Sequence, residues 1–271
     1  MASLFAEAGL SYIASATLAD NLDQCAVPPG SRPLIARTDD RVLQESLRDF
    51  AANKQFRRDI FVRGAAPLGA AERAQALSRL SFVLVVPRER VAFRFPSPLG
   101  ELTGRDDIYG PLVDALGRGP RSFDDLSRLP SFVGQPEALM ESITLLVHSG
   151  QVFPVLAPEP ADAAPAQRLN RLIVARARAG EVHDSLACPV TRTGVAVTDF
   201  GLLSLAALFD DKTDSAGTAA AHGLSIIEAL GRQPREHGQP LHGEAAERFL
   251  AQYMAPIIAE SVPIWRRLRM I

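Results

Sequence analysis

Lysine is almost absent from this chain. Only two of its 29 basic residues, Lys54 and Lys212, are lysines, and the others are arginines. Because alanine is abundant as well, this usage indicates codon bias more than a binding surface. The formal net charge is −2, so the chain as a whole has no charge bias towards nucleic acid or an anionic membrane.

Cysteines and long apolar runs are also scarce. The two cysteines, Cys25 and Cys188, suggest no disulfide framework and fit a reducing compartment. A pair between Cys188 and His183 is an alternative, but two buried structural cysteines are favoured. No apolar run reaches the roughly 18 residues that span a bilayer, and the apolar segment 5–18 lacks the basic start of a signal peptide. We therefore predict a cytoplasmic protein with no membrane partner.

Motifs for catalysis, cofactors and metals are missing. A dinucleotide-type cofactor site needs a glycine-rich turn after a strand and an acidic residue after the next strand, whereas Gly117-Arg-Gly119 follows a predicted helix. No Gly-x-Ser-x-Gly elbow is present. His237 and His242 lack the further ligands of a structural zinc site. We predict no catalytic, cofactor-binding or metal-binding residue and no cofactor in this chain.

The length and composition allow several small domains. The 271 residues suit two or three cores, and a hydrophobic content of 47% is ordinary for a globular protein. The predicted fold class is α+β. Residues 1–105 are predicted to form a mixed α/β domain, 106–157 a winged-helix-like domain, and 158–271 a linker and a mainly helical C-terminal region.

Hydrophobic spacing predicts the elements of the first segment. An amphipathic helix is expected over about 40–53, another over 70–80, and strands over 12–16 and 59–63. The apolar run 82–86 is expected to pair with a strand at Val91–Phe95 through a tight turn at 87–90.

The second segment has the helix order of a winged helix but an unsuitable charge for DNA. Helices are predicted over 108–116, 123–129 with Ser122 as N-cap, and 136–148, followed by a strand over 151–156. The third helix contains no Arg or Lys, and residues 106–157 contain seven acidic and three basic residues. Because DNA affinity depends on phosphate contacts, we predict a protein-facing or structural module that does not bind nucleic acid.

The last segment is expected to begin with a Pro- and Ala-rich linker over 157–167. Trp265 is expected to pack into the helical core that follows. The expected hairpin is centred on Gly194, and the expected helices cover about 166–180, 199–209, 216–231 and 243–262.

The most informative stretch is Arg48-Asp-Phe-Ala-Ala-Asn-Lys-Gln-Phe-Arg-Arg-Asp-Ile-Phe-Val-Arg-Gly64. It has the pattern of a helix end, a short turn and a strand. It resembles the Asp-Phe-x-x-Asn-x-x-Phe-Arg-x-x-Leu-Phe pattern of the methyltransferase regulatory domain, which in bacteria follows an S-adenosylmethionine-dependent methyltransferase domain. The opening segment, 5–22, is also similar to the start of that domain, and the resemblance is clearest over residues 4–105.

The resemblance implies a non-catalytic regulatory or substrate-positioning region of an S-adenosylmethionine-dependent methyltransferase that acts on protein, for example on lysine. The implied partner is a methyltransferase domain, in cis or in trans, and the resemblance is compatible with a protein substrate and a homo-oligomer. The alternative hypothesis is a stand-alone winged-helix regulator that binds a protein partner or DNA.

Three residues of this stretch, Phe56, Arg57 and Arg58, are candidates for docking the catalytic domain or facing a substrate, because arginine is favoured at interfaces. The alternative is a local role, in which the arginines cap helix carbonyls or pair with Asp49 or Asp59. In that case, changing both arginines to Ala is expected to cost about 1 kcal/mol or less.

Overall fold

A computed structural model describes residues 2–156, 162–213 and 215–271. Helices and small sheets are mixed along the chain, which confirms the mixed α/β class. The chain divides into two compact units, the first with residues 1–84 and 88–154 and the second with residues 85–87 and 155–271. The predicted domain boundary at residue 105 lies inside the first unit, and the three-domain division stays a prediction.

The first unit contains helices of four to thirteen residues and strands of two to six. Its helices are α1 (Ala2–Glu7), α2 (Asp23–Ala26), α3 (Arg32–Ala36), α4 (Arg41–Ala51), α5 (Ala70–Arg79), α6 (Asp106–Gly117), α7 (Phe123–Ser127) and α8 (Pro136–His148). Its strands are β1 (Leu10–Ser15), β2 (Asp59–Arg63), β3 (Ser81–Leu84), β4 (Arg94–Ser97), β5 (Gly100–Thr103), β6 (Arg121–Ser122) and β7 (Val152–Val155).

Strands β1 and β2 form an antiparallel pair from Leu10 opposite Arg63 to Ser15 opposite Asp59. On one face, the ring of Phe61 stacks on Phe5 with centroids 4.4 Å apart. Helix α4 packs beside this pair, with Leu47 and Ala51 against a small apolar cluster made by Ala26, Val27 and Ile35. Helix α4 and the β1–β2 pair therefore hold the two ends of the stretch from Arg48 to Gly64 in place.

The predicted pairing of 82–86 with Val91–Phe95 is wrong. Strand β3 lies between β6 and β7 in a three-stranded sheet, and β4 pairs with β5 instead. The physical reason is that the residues after Pro87 form a short 3-10 helix, Arg88–Arg90, in place of the tight turn that a hairpin requires. A two-residue turn, Pro98-Leu99, closes β4 onto β5 between Ser97 and Gly100.

Helices α6, α7 and α8 supply much of the core of the first unit. Leu112, Leu116, Leu139 and Leu146 are completely buried. The predicted N-cap is confirmed, because the Ser122 hydroxyl accepts a hydrogen bond of 3.0 Å from the backbone N–H of Asp125.

The second unit contains helices α9 (Ala164–Arg178), α10 (Asp199–Phe209), α11 (Ala216–Ala229), α12 (Gly243–Pro256) and α13 (Val262–Arg267). Its strands are β8 (Ser185–Cys188), β9 (Thr193–Ala196), β10 (Arg235–Glu236) and β11 (Gln239–Pro240). A π-helical turn, Ile257–Ser261, separates α12 from α13, whereas one helix was expected across this point.

Small residues allow α10, α11 and α12 to pack closely. Ala207, Ala219, Ala220 and Ala246 are fully buried in one cluster with Leu250 and Met254. Trp265 is 5% exposed, so the expectation that it packs in the core is confirmed.

Two expectations for the second unit need correction. The expected linker lies partly outside the described residues, at 157–161, but its last residues already belong to α9, where Pro165 occupies the first turn and suits a helix start. The hairpin turn falls between Cys188 and Thr193, and Gly194 lies within β9, opposite Ala187. A methyl group on Gly194 would lie 3.2 Å from Ser185 Cβ, so glycine permits a close approach of the strands there.

Candidate functional site

The junction between α4 and β2 begins with a well-formed helix end. Asn53 adopts a left-handed conformation with φ of 48°. Its N–H bonds the carbonyl of Phe50 at 3.2 Å, and the N–H of Lys54 bonds that of Asp49 at 2.9 Å. This is a Schellman motif, in which asparagine tolerates the positive φ, and it explains why an asparagine stands in the Asp-Phe-x-x-Asn pattern.

The Arg57 side chain connects the helix to both strands. Its Nε donates to Asp59 Oδ1 at 2.9 Å, and its Nη1 donates to both carboxylate oxygens of Asp49 at 3.0 Å. Its Nη2 donates to Glu45 Oε2 at 2.8 Å and to the Tyr12 hydroxyl at 3.0 Å. Charge-assisted bonds of this kind are stronger than neutral ones, so Arg57 fixes α4 against β1 and β2.

Glu45 extends the network along α4. Its Oε1 accepts from Arg48 Nη1 at 2.7 Å, and its Oε2 accepts from the Tyr12 hydroxyl at 3.0 Å. Arg48 also binds Asp23 through two nitrogens, at 3.0 and 3.2 Å. We call the set of Tyr12, Asp23, Glu45, Arg48, Asp49, Arg57 and Asp59 the junction network.

The electrostatics of the junction network favour its charged form. Burial raises the pKa of Glu45, but hydrogen bonds from Arg57 and Tyr12 outweigh burial and hold that pKa below its ordinary value. Burial, together with the bond to Glu45, raises the pKa of Tyr12 to about 12. Burial opposes the charge of Arg57, yet its carboxylate partners raise the pKa of this guanidinium.

The network leaves too little space for a ligand. The cavity beside Glu45, Arg48 and Arg57 measures about 20 Å³, room for about one water molecule. Every Arg57 nitrogen has an acceptor within the chain. The arrangement therefore supports structure and offers no substrate pocket.

The three residues predicted as a docking site have different surroundings. Arg57 pairs locally with both Asp49 and Asp59, as the local interpretation expected. Arg58 is exposed and donates to Thr17 Oγ1 at 3.1 Å. Phe56 is 86% exposed, which leaves it the most accessible of the three.

Helix α4 also exposes apolar residues beside this junction. Phe50 is 84% exposed, Val42 62% and Leu43 51%. These three residues lie on one face of α4, because their spacing of seven and eight residues returns to the same side of a helix. We call Val42, Leu43, Phe50 and Phe56 the exposed junction residues.

Sequence reasoning identified Asp49 and Asp59 as partners but missed Glu45 and Tyr12. Glu45 and Asp49 are four residues apart, so they share a face of α4. That spacing, together with an arginine shortly before a predicted strand, is a signal in the sequence that could have identified Glu45 as a partner of Arg57. Tyr12 lies on β1, and only the pairing of β1 with β2 places it beside Arg57.

The other candidate groups behave as ordinary residues. Cys25 and Cys188 are free and buried, and burial raises the pKa of the Cys25 thiol, which makes it less reactive. His237 and His242 are exposed. Within the described ranges, no cluster of three or more histidine, cysteine or acidic residues could hold a metal ion.

The comparisons with known proteins bear directly on this junction. Residues 1–63 match the model of a family described as "Predicted methyltransferase regulatory domain". This match spans the junction network, α4 and both strands of the β1–β2 pair. The resemblance seen in the sequence is therefore confirmed over residues 1–63.

One curated relative and two solved structures are similar over most of the chain. The "Uncharacterized protein sll1526" of Synechocystis sp. (strain ATCC 27184 / PCC 6803 / Kazusa) is 30% identical over 242 residues, which are 88% of this chain and 47% of that protein. The chain thus spans about half the length of this relative.

The solved structures are both of PKMT2 from Rickettsia typhi, at 12% identity. The structure in complex with AdoHcy has a TM-score of 0.48 and covers 99% of this chain and 56% of that chain. The other structure has a TM-score of 0.49 and covers 100% of this chain and 57% of that chain.

Over the parts of the chain that the structure describes, no helix has both the length and the apolar character to cross a bilayer. The cytoplasmic location stays a prediction.

Proposed function

We propose that this chain is a non-catalytic regulatory or substrate-positioning region that works with an S-adenosylmethionine-dependent methyltransferase domain, in cis or in trans. The observation that carries the proposal is the match of residues 1–63 to the regulatory-domain family. The cofactor and the chemical step belong to the partner domain, and a protein is the proposed substrate class.

The junction supports a docking role because it combines a rigid base with accessible apolar side chains. Arg57 and its carboxylates fix the backbone on both sides of Phe56. Preorganised aromatic residues bind at a low entropic cost, and they are enriched among the residues that dominate interface energies. We propose that Phe50 and Phe56 contact the methyltransferase domain, while Arg57 positions them and Arg58 lies at the rim.

We further propose that residues 106–157 form a winged-helix-like module that faces protein. Its helix α8 carries Glu137 and Glu141 and no basic residue except His148. A helix with this charge would repel DNA phosphates, so the alternative of a DNA-binding regulator is disfavoured.

Binding in trans tests the docking proposal. The bait is the part of the Synechocystis relative outside the matching 242 residues. We expect Phe56→Ser to weaken binding measured by calorimetry at least about tenfold, since buried aromatic anchors contribute about 2 kcal/mol or more.

Leu68→Ser supplies the matched control, because Leu68 is an apolar residue of the same unit with 58% exposure and lies outside both the junction and residues 106–157. It should leave affinity unchanged. Unaltered affinity of the Phe56→Ser and Phe50→Ser variants, with thermal unfolding as in the parent chain, would refute docking at this junction.

A further inference from the structure

The second unit contains a pocket that the proposed function does not use. Its volume is about 370 Å³, and it lies among α9, α10, α11 and α12. Small-molecule sites commonly measure about 300–1,000 Å³. Four lining residues, Val174, Leu202, Ala206 and Leu250, are almost completely buried, so the inner part of the pocket is apolar and firmly packed.

An aromatic cluster forms one side of this pocket. Phe200 and Phe249 line it. The Phe200 ring stacks on Tyr253 with centroids 4.6 Å apart, and Phe249 meets Tyr253 edge-on at 5.0 Å. Mutual packing of this kind restricts ring motion, so this side presents a preformed apolar surface.

Three arginines, Arg178, Arg232 and Arg235, also line the pocket. Arg178 is already engaged, since its Nη2 lies 2.8 Å from Asp210 Oδ2. Its Nε is buried without a hydrogen-bond acceptor, so it retains unused donor capacity.

The side chains of the other two arginines have no carboxylate partner within the described residues. Arg235 donates from Nη1 to the Gly238 carbonyl at 3.1 Å. The Arg232 guanidinium has no hydrogen-bond or ion-pair partner there, and the residue bonds only through its backbone N–H, to the Ile227 carbonyl at 3.1 Å. Of the two acidic lining residues, Glu181 is paired with Arg176 at 3.0 Å, which leaves only Asp199 to oppose the two free guanidinium charges. The pocket lining therefore carries an uncompensated positive charge.

We propose that this pocket binds a small amphipathic anion, with its apolar body against the α10 and α12 side chains and a single carboxylate at Arg232 and Arg235. Guanidinium groups match the planar carboxylate and form two parallel hydrogen bonds with it. The buried apolar lining suits the apolar body of such a ligand, and the excess of arginine favours a negative charge on it. This inference is independent of docking at the α4–β2 junction.

Trp265 offers a reporter for binding to the full chain. It is the sole tryptophan, and a methyl group on Gly201 would lie 3.5 Å from its Cη2. Gly201 stands between Phe200 and Leu202, which line the pocket. A titration with decanoate should therefore change Trp265 fluorescence saturably, with a matching stoichiometric heat by calorimetry. Decanol and decylammonium, with equal chain length, should bind at least about tenfold more weakly.

Substitutions of pocket-lining residues test where decanoate binds. Arg232→Gln combined with Arg235→Gln should weaken decanoate binding at least about tenfold, whereas Arg248→Gln should not, because Arg248 is exposed on α12 and does not line the pocket. Ala177→Phe should fill the pocket and abolish binding. Urea unfolding of each variant separates loss of binding from loss of fold.

Three results would overturn the proposal. The first is the absence of saturable decanoate binding to the parent chain. The second is equal affinity for decylammonium, which would show that charge does not select the ligand. The third is unchanged binding in the double arginine variant, which would place any decanoate elsewhere.

Discussion

The α4–β2 junction and the α10–α12 core hold their helices by opposite means. At the junction, the charged residues Glu45 and Asp49 fix α4 by binding Arg57, in addition to the contact of Leu47 and Ala51 with a small apolar cluster. In the core, α10, α11 and α12 meet through buried alanines, with Leu250 and Met254 between them. A helix held by its charged side keeps apolar residues available for a partner, whereas a helix held by its apolar side does not.

The largest effect should come from the apolar core. Leu205 is completely buried on α10, so Leu205→Ala removes packed methyl groups and leaves a cavity. We expect a loss of about 3 kcal/mol in the free energy of unfolding, measured with urea by Trp265 fluorescence. Leu172→Ala, at a half-exposed site, should cost much less. A loss that varied strongly with salt would contradict an apolar origin.

A smaller loss should follow from breaking the junction network. Arg57→Ala leaves Glu45, Asp49 and Asp59 close together without their cation. Removing one partner of a buried pair costs about 3–5 kcal/mol, and because the Arg57 side chain is 22% exposed, we expect about 2–3 kcal/mol. This exceeds the value of about 1 kcal/mol expected for simple local pairing, because one arginine serves three carboxylates.

Hydrogen exchange of the β1–β2 amides measures this loss, since Trp265 reports on the other unit. Arg58→Ala is the matched control and should change stability by less than about 0.5 kcal/mol. Equal losses for the two variants would contradict the role given to Arg57.

The junction should also depend on pH, unlike the core. The folded pKa of Glu45 lies below its ordinary value, so its contribution is complete above an unfolded pKa of about 4.3 and is lost as the pH falls through the folded value. Tyr12 acts in the opposite direction: its contribution is complete below pH about 10 and is lost as the pH rises towards its folded pKa of about 12.

Hydrogen exchange of the β1–β2 amides from pH 3 to 7 measures the loss of stability in acid. Glu45→Gln should make this loss smaller. If the Glu45→Gln variant loses as much stability in acid as the parent chain, groups other than Glu45 cause the loss.

Local signals in the sequence predicted many elements but not their long-range pairing. The helix over 136–148 and the strand over 59–63 follow from Pro136, Gly150 and simple alternation, and both occur with those bounds. The pairing of β3 with β6 and β7 joins residues far apart in the chain, which local patterns do not encode. Phe56, Arg57 and Arg58 are candidates for docking because arginine is favoured at interfaces, and that role stays a prediction. The contacts of Tyr12 depend on the β1–β2 register, which local patterns do not give.

Hydrogen exchange of the full chain, with a methyltransferase domain added in trans, tests whether the exposed junction residues dock that domain. We expect slower exchange at amides 53–58 on saturation, and Phe56→Ser should abolish this protection. The stability of the Phe56→Ser variant should change by less than about 0.5 kcal/mol, because Phe56 is 86% exposed. Saturated binding without protection at 53–58, or no binding at all, would show that the junction does not dock the domain.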